Sequence, residues 1–307
     1  MPITAPTALP TVRHSSAFRG RLGQDDRSGH HAVPHRYRLH LSTADPDGLR
    51  LAIAHSLLGL DASCPVTLLP AVPDAPDGSH TALRPLYEAS AHRYSGPAPA
   101  PVLSDAWSGR IVSTHTPDIL RDLDLFPRAG GDPLRPCGWE STIDAVERLC
   151  AEGIEQAAQR AGRADEDPAG RAAALEVLLD TLSRLERWLT EEEYLAGGRL
   201  TAADIDLWVS LVQLDTVHRC HLDASAVHRI TGLTALWSYA RRLAAHPAFG
   251  THLDLDGIAR RHHGHCQGLE AAGAAVQILD WAAHAKRKNQ GVAPRSSQAR
   301  EDREDTP

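Results

Sequence analysis

The stretch Leu200-Thr201-Ala202-Ala203-Asp204-Ile205-Asp206-Leu207-Trp208 constrains this chain more than any other. Thr201 and Asp204 stand three apart, the spacing at which each side chain satisfies the other residue's orphan N–H at a helix start. Leu200 and Ile205 fall at the flanking apolar staple positions, and Gly197-Gly198 supplies the turn before them. Ile205, Trp208, Val209, Leu211, Val212 and Leu214 then make the helix apolar nearly all round, as expected of a buried central helix. A helix that nucleates itself and ends near Asp215 is a fitting centre for an all-helical domain.

The surrounding periodicity agrees. Ile143, Val146, Leu149, Cys150 and Ile154 share one helical face, and Leu175, Leu178, Leu179, Leu182, Leu185, Trp188 and Leu189 form a long core stripe. Residues 236–245 read as a helix stopped by Pro247, and residues 271–284 as a last one. Upstream the pattern changes. Tyr37 to Leu41 alternates as a strand, residues 49–58 read as a helix ended by Gly59, and Val66 to Leu69 as a second strand. A short helix over 83–91, a hairpin of 100–103 with 110–112, and a helix opening at Thr116-Pro117 complete a thioredoxin-like order. The reading is therefore α/β plus all-α: an irregular arm (1–34), a thioredoxin-like domain (35–125), a Pro- and Gly-rich linker (126–139), an all-helical domain (140–286) and a charged, disordered tail (287–307).

Charge narrows the partners. A net charge of −7 offers no global field for nucleic acid or an anionic membrane. No apolar run reaches a bilayer span and no signal peptide is evident, so a cytoplasmic protein is expected. Cys64, Cys137, Cys150, Cys220 and Cys266 are odd in number and lack CxxC spacing, which suits reduced thiols. Lysine is confined to Lys286 and Lys288 while arginine and alanine abound, a bias that suggests a GC-rich bacterial genome.

A specific resemblance runs through roughly residues 36–265. Arg36-Tyr37, Ser42-Thr43-Ala44-Asp45-Pro46 and Arg50 resemble the active-site stretch of glutathionyl-hydroquinone reductases, the xi-type glutathione transferases. Pro101-Val102-Leu103 resembles their cis-proline turn, and Ile111-Val112 through Ile119-Leu120 their γ-glutamyl-binding segment. Tyr194-Leu195, Arg199-Leu200-Thr201, Asp204, Asp215, His221, Arg229-Ile230, Leu236-Trp237, Asp256, Ile258 and Arg260 continue the match through the helical glutathione transferase domain. The resemblance implies a homodimer and a substrate cleft between the domains.

The departures bear on chemistry. In this resemblance the family's nucleophilic cysteine falls on Asp45, which cannot form a mixed disulfide because that exchange requires a thiolate. The Glu-Ser pair that grips a γ-glutamyl group falls on His115-Thr116, so glutathione is not the expected ligand. The hydroquinone-binding tyrosines fall on His218, His262 and His263, with His221 and His265 beside them.

These residues admit several readings. Asp45 caps a helix, acts as a general acid or base, or does both. His218, His262 and His263 are acid–base candidates with Asp45, while Pro101, Val102, His115, Thr116, His221 and Arg260 are candidates for holding substrate. A transition metal, zinc above all, is the second candidate, drawn from His218, His221, His262, His263 and His265. Cys220 or Cys266 is a minor candidate nucleophile, and Arg241-Arg242 and Arg260-Arg261 read as solvated or ion-paired helix faces. The leading expectation is an enzyme acting on a small polar, aromatic or quinone-like molecule by isomerisation, elimination or conjugation. Against it stand a non-catalytic binding protein, a metal-dependent enzyme, and a transferase of another thiol such as mycothiol.

Overall fold

The computed structural model describes residues 18–23, 29–127, 132–266 and 277–286. Its first half is built on β1 (Tyr37–Leu41), whose burial alternates so that Tyr37, Leu39 and Leu41 all enter the core. α1 (Pro46–Leu57) is the crossover that brings β2 (Val66–Leu68) back parallel to β1, pairing Leu39 with Val66. After α2 (Arg84–Ser90), β3 (Val102–Asp105) runs antiparallel beside β1 and β4 (Arg110–Ser113) closes the sheet, giving the order β2-β1-β3-β4. α3 (Thr116–Leu123) follows. This is the thioredoxin-like unit expected from the sequence.

The segment ahead of β1 is less irregular than its composition suggests. Arg19 bridges to Ser113, and Gly20 donates its N–H to Val112 O at 2.8 Å, so the arm lies along the outer edge of β4. A Cβ on Gly20 would come within 2.6 Å of that same carbonyl, so this position takes glycine. Arg21 Nε donates to Asp122 at 2.8 Å and Arg19 Nε to Asp118 at 3.1 Å, fastening the arm to α3.

The second half is helical throughout its described residues. α4 (Glu140–Arg148) continues through a π-helical stretch, Leu149–Gln156, into α5 (Ala157–Ala161). The long α6 (Pro168–Glu191) buries Leu178, Leu179, Leu182 and Leu185 of the predicted stripe and leaves Leu175, Trp188 and Leu189 half-buried against the core, and Gly153 is needed where the two meet: its Cβ would lie 2.5 Å from Thr181 Oγ1. α7 (Ala202–Thr216) is the central helix, and every residue in it except the last, Thr216, is buried. Its start is built as expected. The Thr201 amide and hydroxyl both donate to Asp204 Oδ2 at 2.9 Å. Asp204 Oδ1 also accepts from Leu195 N at 3.0 Å and the Tyr239 hydroxyl at 2.9 Å.

A 3₁₀ turn (His218–His221), α8 (Ala224–Thr231), α9 (Thr234–Ala244), α10 (Pro247–Gly250), α11 (Leu255–Cys266) and α12 (Trp281–Lys286) complete the order. Two expectations change. Pro247 opens α10 rather than only ending α9, as its fixed φ allows at a first turn. The last helix is Trp281–Lys286; residues 271–276 of the expected 271–284 lie outside the described residues, as does the 287–307 tail. That closing segment is tied to the end of α7, where buried Asp215 accepts from Ile278 N (2.8 Å), Leu279 N (3.0 Å) and Trp281 Nε1 (2.9 Å). The Trp281 ring meets Trp208 edge-on at 5.8 Å.

Candidate functional site

β1 delivers its last residues to the start of α1, and the register pairing His40 with Val102 sets the beginning of β3 alongside. The Ala100–Pro101 peptide there is cis, and Pro101 and Val102 are both buried. Between β1 and α1 the chain turns sharply. Gly48 is pressed against Ser42 so closely that any side chain would strike its carbonyl. Asp45 sits in this turn as the N-cap, with Oδ1 accepting from Asp47 N at 3.0 Å and Gly48 N at 3.4 Å. Its other oxygen is also taken: Arg261 Nη2, from α11, donates to Asp45 Oδ2 at 2.5 Å. Burial pushes the Asp45 carboxyl above the usual range, and the Arg261 charge opposes that rise.

His80, which the sequence does not single out, feels the charges of both members of this pair. It stands on the segment between β2 and α2, donates its backbone N–H to Ala98 O at 3.0 Å, and is 2% exposed. Its Nδ1 is buried without a hydrogen-bond partner. Burial lowers its tendency to protonate, and the Arg261 charge lowers it further; Asp74 and Asp45 act in the opposite sense. α11 reaches the same segment at its own start, where a Cβ on Gly257 would lie 3.0 Å from that of Ala71.

Three of the predicted histidines come together. His221 on the 3₁₀ turn and His262 on α11 face each other, Nε2 to Nε2, at 3.4 Å with rings at 71°. His218 is close enough to feel both: burial lowers its pKa to about 4, and the His221 and His262 charges add to the effect. It is therefore a neutral imidazole at physiological pH. His263 and Arg260 occupy exposed positions on α11, apart from this group. The side chain of His265 lies outside the described residues, as does that of Cys266. Among the described residues no group of three or more His, Cys, Asp or Glu side chains could hold a metal ion.

His115 and Thr116 belong to a different network. His115 Nδ1 lies 2.9 Å from Asp118 Oδ2 and 3.1 Å from Arg19 Nη2, while Thr116 is buried in the first turn of α3. The docked arm thus places a guanidinium beside His115, an arrangement unsuited to a ligand ammonium.

The two domains are also joined by a buried guanidinium. Arg50 of α1 donates from Nε to Asp206 of α7 at 2.7 Å and from Nη1 to Asp47 at 3.1 Å, and also pairs with Glu155 of the π-helical stretch. Ser210 donates to that same Glu155 oxygen at 2.7 Å. Asp206 is pushed up to about 7 by burial, with Arg50 pulling it down and Glu147 and Glu155 adding to the rise. Cys150 beside this cluster is buried and its thiol pushed well up, and burial takes Cys64 to about 12. Neither is a ready nucleophile.

A glutathione S-transferase C-terminal domain model matches residues 168–253, which span α6 to the turn before α11. Glutathionyl-hydroquinone reductase PcpF of Sphingobium chlorophenolicum is 29% identical over 271 residues, covering 82% of this chain and 84% of that protein. The corresponding reductase YqjG of Escherichia coli is 29% identical over 276 residues, covering 82% and 83%. In three dimensions a xi-class glutathione transferase from Natrialba magadii superposes with a TM-score of 0.73 at 25% identity, covering 85% of this chain and 86% of that one. Along most of its length the chain is similar to the xi-type glutathione transferases. Glutathione-bound YqjG superposes equally well, with a TM-score of 0.72 at 26% identity over 86% of this chain and 94% of its own. Within this xi-type frame, Asp45 stands at the N-terminus of the first helix, paired with an arginine from the helical domain. No helix among the described residues is long and apolar enough to cross a membrane.

Proposed function

We propose that this xi-type protein is an enzyme that has left thiol exchange and works on a small polar, aromatic or quinone-like molecule by acid–base chemistry in the cleft between its domains. The observation that carries this reading is the facing pair His221–His262 beside a neutral His218. Two ring nitrogens 3.4 Å apart share one proton between a donor and an acceptor, and such a pair can deliver a proton and take one back. His218 serves as a neutral acceptor that orients the substrate. Asp45, with both oxygens engaged, holds α11 over the cleft through Arg261 rather than attacking. Isomerisation, elimination and conjugation all suit such a site, and its setting in this reading is a homodimer in the cytoplasm.

The test is a gain of function set against a loss. Wild type should leave a glutathionyl-hydroquinone probe unreduced and form no adduct with glutathione disulfide. Asp45→Cys should gain a glutathione mixed disulfide, detected by intact mass, because its thiol sits at a helix N-terminus beside Arg261. Reduction of the probe by wild type at a rate comparable to YqjG would sink the reading.

A metal-assisted reaction is a second reading, favoured by the same distance. Two ligands on a tetrahedral zinc with bonds of about 2.0–2.1 Å stand about 3.3–3.4 Å apart. Stoichiometric metal in untagged protein, lost in His221→Ala and His262→Ala, would promote it over metal-free proton transfer.

A further inference from the structure

We propose that Asp215 is a positioning residue for the His221–His262 pair: through Arg219 it holds the turn that carries His221, and it ties the closing segment of the chain to that turn. The inference rests on the acid–base reading of the pair and names the device that sets its geometry.

Asp215 is the penultimate residue of α7, just ahead of the 3₁₀ turn His218–His221. Its side chain is fully buried, and a buried carboxylate needs donors around it. Those donors come from two places. Arg219 Nε donates to Oδ1 at 3.1 Å, and also to the Asp215 carbonyl at 3.0 Å. The closing segment supplies Ile278 N to Oδ1 at 2.8 Å, with Leu279 N and Trp281 Nε1 to Oδ2 at 3.0 and 2.9 Å. One carboxylate therefore serves the turn and a segment more than sixty residues further along the chain.

The turn depends on such an anchor. Four residues of 3₁₀ helix have poor internal hydrogen-bond geometry, and no side chain caps this one. Arg219 is its buried member, with a side chain 4% exposed. Successive side chains on a 3₁₀ helix are about 120° apart, so directing Arg219 inward also fixes the direction of His221. The turn is backed closely from the other side. Gly162 at the end of α5 leaves no room there, since a Cβ on it would come within 2.7 Å of His221 Cβ. His221 is thus set between α5 and Asp215, and from that position its Nε2 lies 3.4 Å from His262 Nε2. That distance is at the long end of hydrogen bonding, so a displacement of about half an ångström removes the contact. The pair exists only as precisely as the turn is held.

The test reads the histidine pair directly, by nitrogen-15 NMR of the full chain at neutral pH. Where two Nε2 atoms face each other, one ring presents a protonated Nε2 and the other a bare one, so the two imidazoles differ in tautomer. His221→Gln and His262→Gln assign the two rings. Asp215→Asn removes the charge and one acceptor, and Arg219→Gln releases the turn while leaving the closing segment its carboxylate. In both variants the difference between the rings should be lost, each giving the exchange-averaged signal of a solvated histidine. Arg219→Lys, which keeps a cation beside Asp215, should restore it in part. Asp204→Asn disturbs the far end of α7 and should lower stability without touching the pair. Arg219→Gln gives the decisive comparison where Asp215→Asn folds poorly. A folded Arg219→Gln protein with both rings as in wild type overturns the proposal. So does loss of the difference in Asp204→Asn as well, since general loosening then explains it. The readout is geometry without substrate: a catalytically inert pair sinks the acid–base reading but leaves this anchoring measurable, and an intact pair in Arg219→Gln sinks the anchoring alone.

Discussion

Replacing Asp206 with Asn should flatten the dependence of stability on pH between about pH 4 and pH 7. Asp206 is 8% exposed and shares Arg50 with Asp47 and Glu155, so three carboxylates surround one guanidinium. With Glu147 also nearby, the folded-state pKa of Asp206 rises to about 7, against about 3.9 for an unperturbed Asp. The folded chain therefore keeps a proton that the unfolded chain releases. Wild-type stability from this group is full below about pH 4 and is lost as pH rises towards 7. A difference of about 3 pKa units corresponds to at most about 4 kcal/mol over that window. Asn fills the same volume without titrating, so Asp206→Asn compared with wild type should be least favourable at pH 4.5 and most favourable at pH 8. Urea denaturation followed by tryptophan fluorescence at five or six pH values measures the difference directly. Parallel stability curves for the two proteins would refute the reasoning, because they would mean that Asp206 titrates alike in folded and unfolded chains.

Other perturbations probe the remaining parts of the frame. His218 has its pKa lowered to about 4 by burial, so it contributes stability above about pH 6.5 that is lost as pH falls through 6.5 towards 4; His218→Gln should reduce acid sensitivity by up to about 3 kcal/mol, read from denaturation at pH 4.5 and 7.5. Asp204→Ala leaves the Leu195 and Thr201 amides and the Tyr239 hydroxyl without their buried acceptor and should cost about 3 kcal/mol or more in chemical denaturation. Gly153→Ala drives a methyl into Thr181 and should cost about 1–3 kcal/mol, with Thr181→Ala recovering most of it in the double variant.

The legible parts of this chain were those fixed by local chemistry. Thr201 and Asp204 announce their helix because a capping box needs residues only three apart, and Tyr37, Leu39 and Leu41 announce β1 because burial on a strand repeats every second residue. The π-helical stretch at 149–156 carries no such sign, since an apolar face looks nearly the same at either pitch. α12 is anchored through Asp215, 66 residues upstream of Trp281, a contact that no local periodicity announces. The structure brings His221 and His262 to 3.4 Å from each other, and spacing alone gives no reason to separate His262 from exposed His263. Their different fates follow from the 100° that separates neighbours on a helix. His80 and Arg261 depended on contacts between domains, which no local pattern encodes.

Those contacts also join the two domains through α11. Arg261 and His262 are adjacent on α11, yet one pairs with Asp45 at the start of α1 and the other faces His221 on the turn after α7. A displacement of α11 thus alters both contacts together, and the orientation of α11 is in turn set where Gly257 meets Ala71. Removing the Asp45–Arg261 pair while leaving every histidine in place separates the two roles. If α11 is held chiefly by that pair, Arg261→Ala should broaden or shift the imidazole resonances of His221 and His262 in NMR spectra at neutral pH. If the histidine resonances stay unchanged, the packing of α11, with Ile258 buried in the core, holds the helix without that pair.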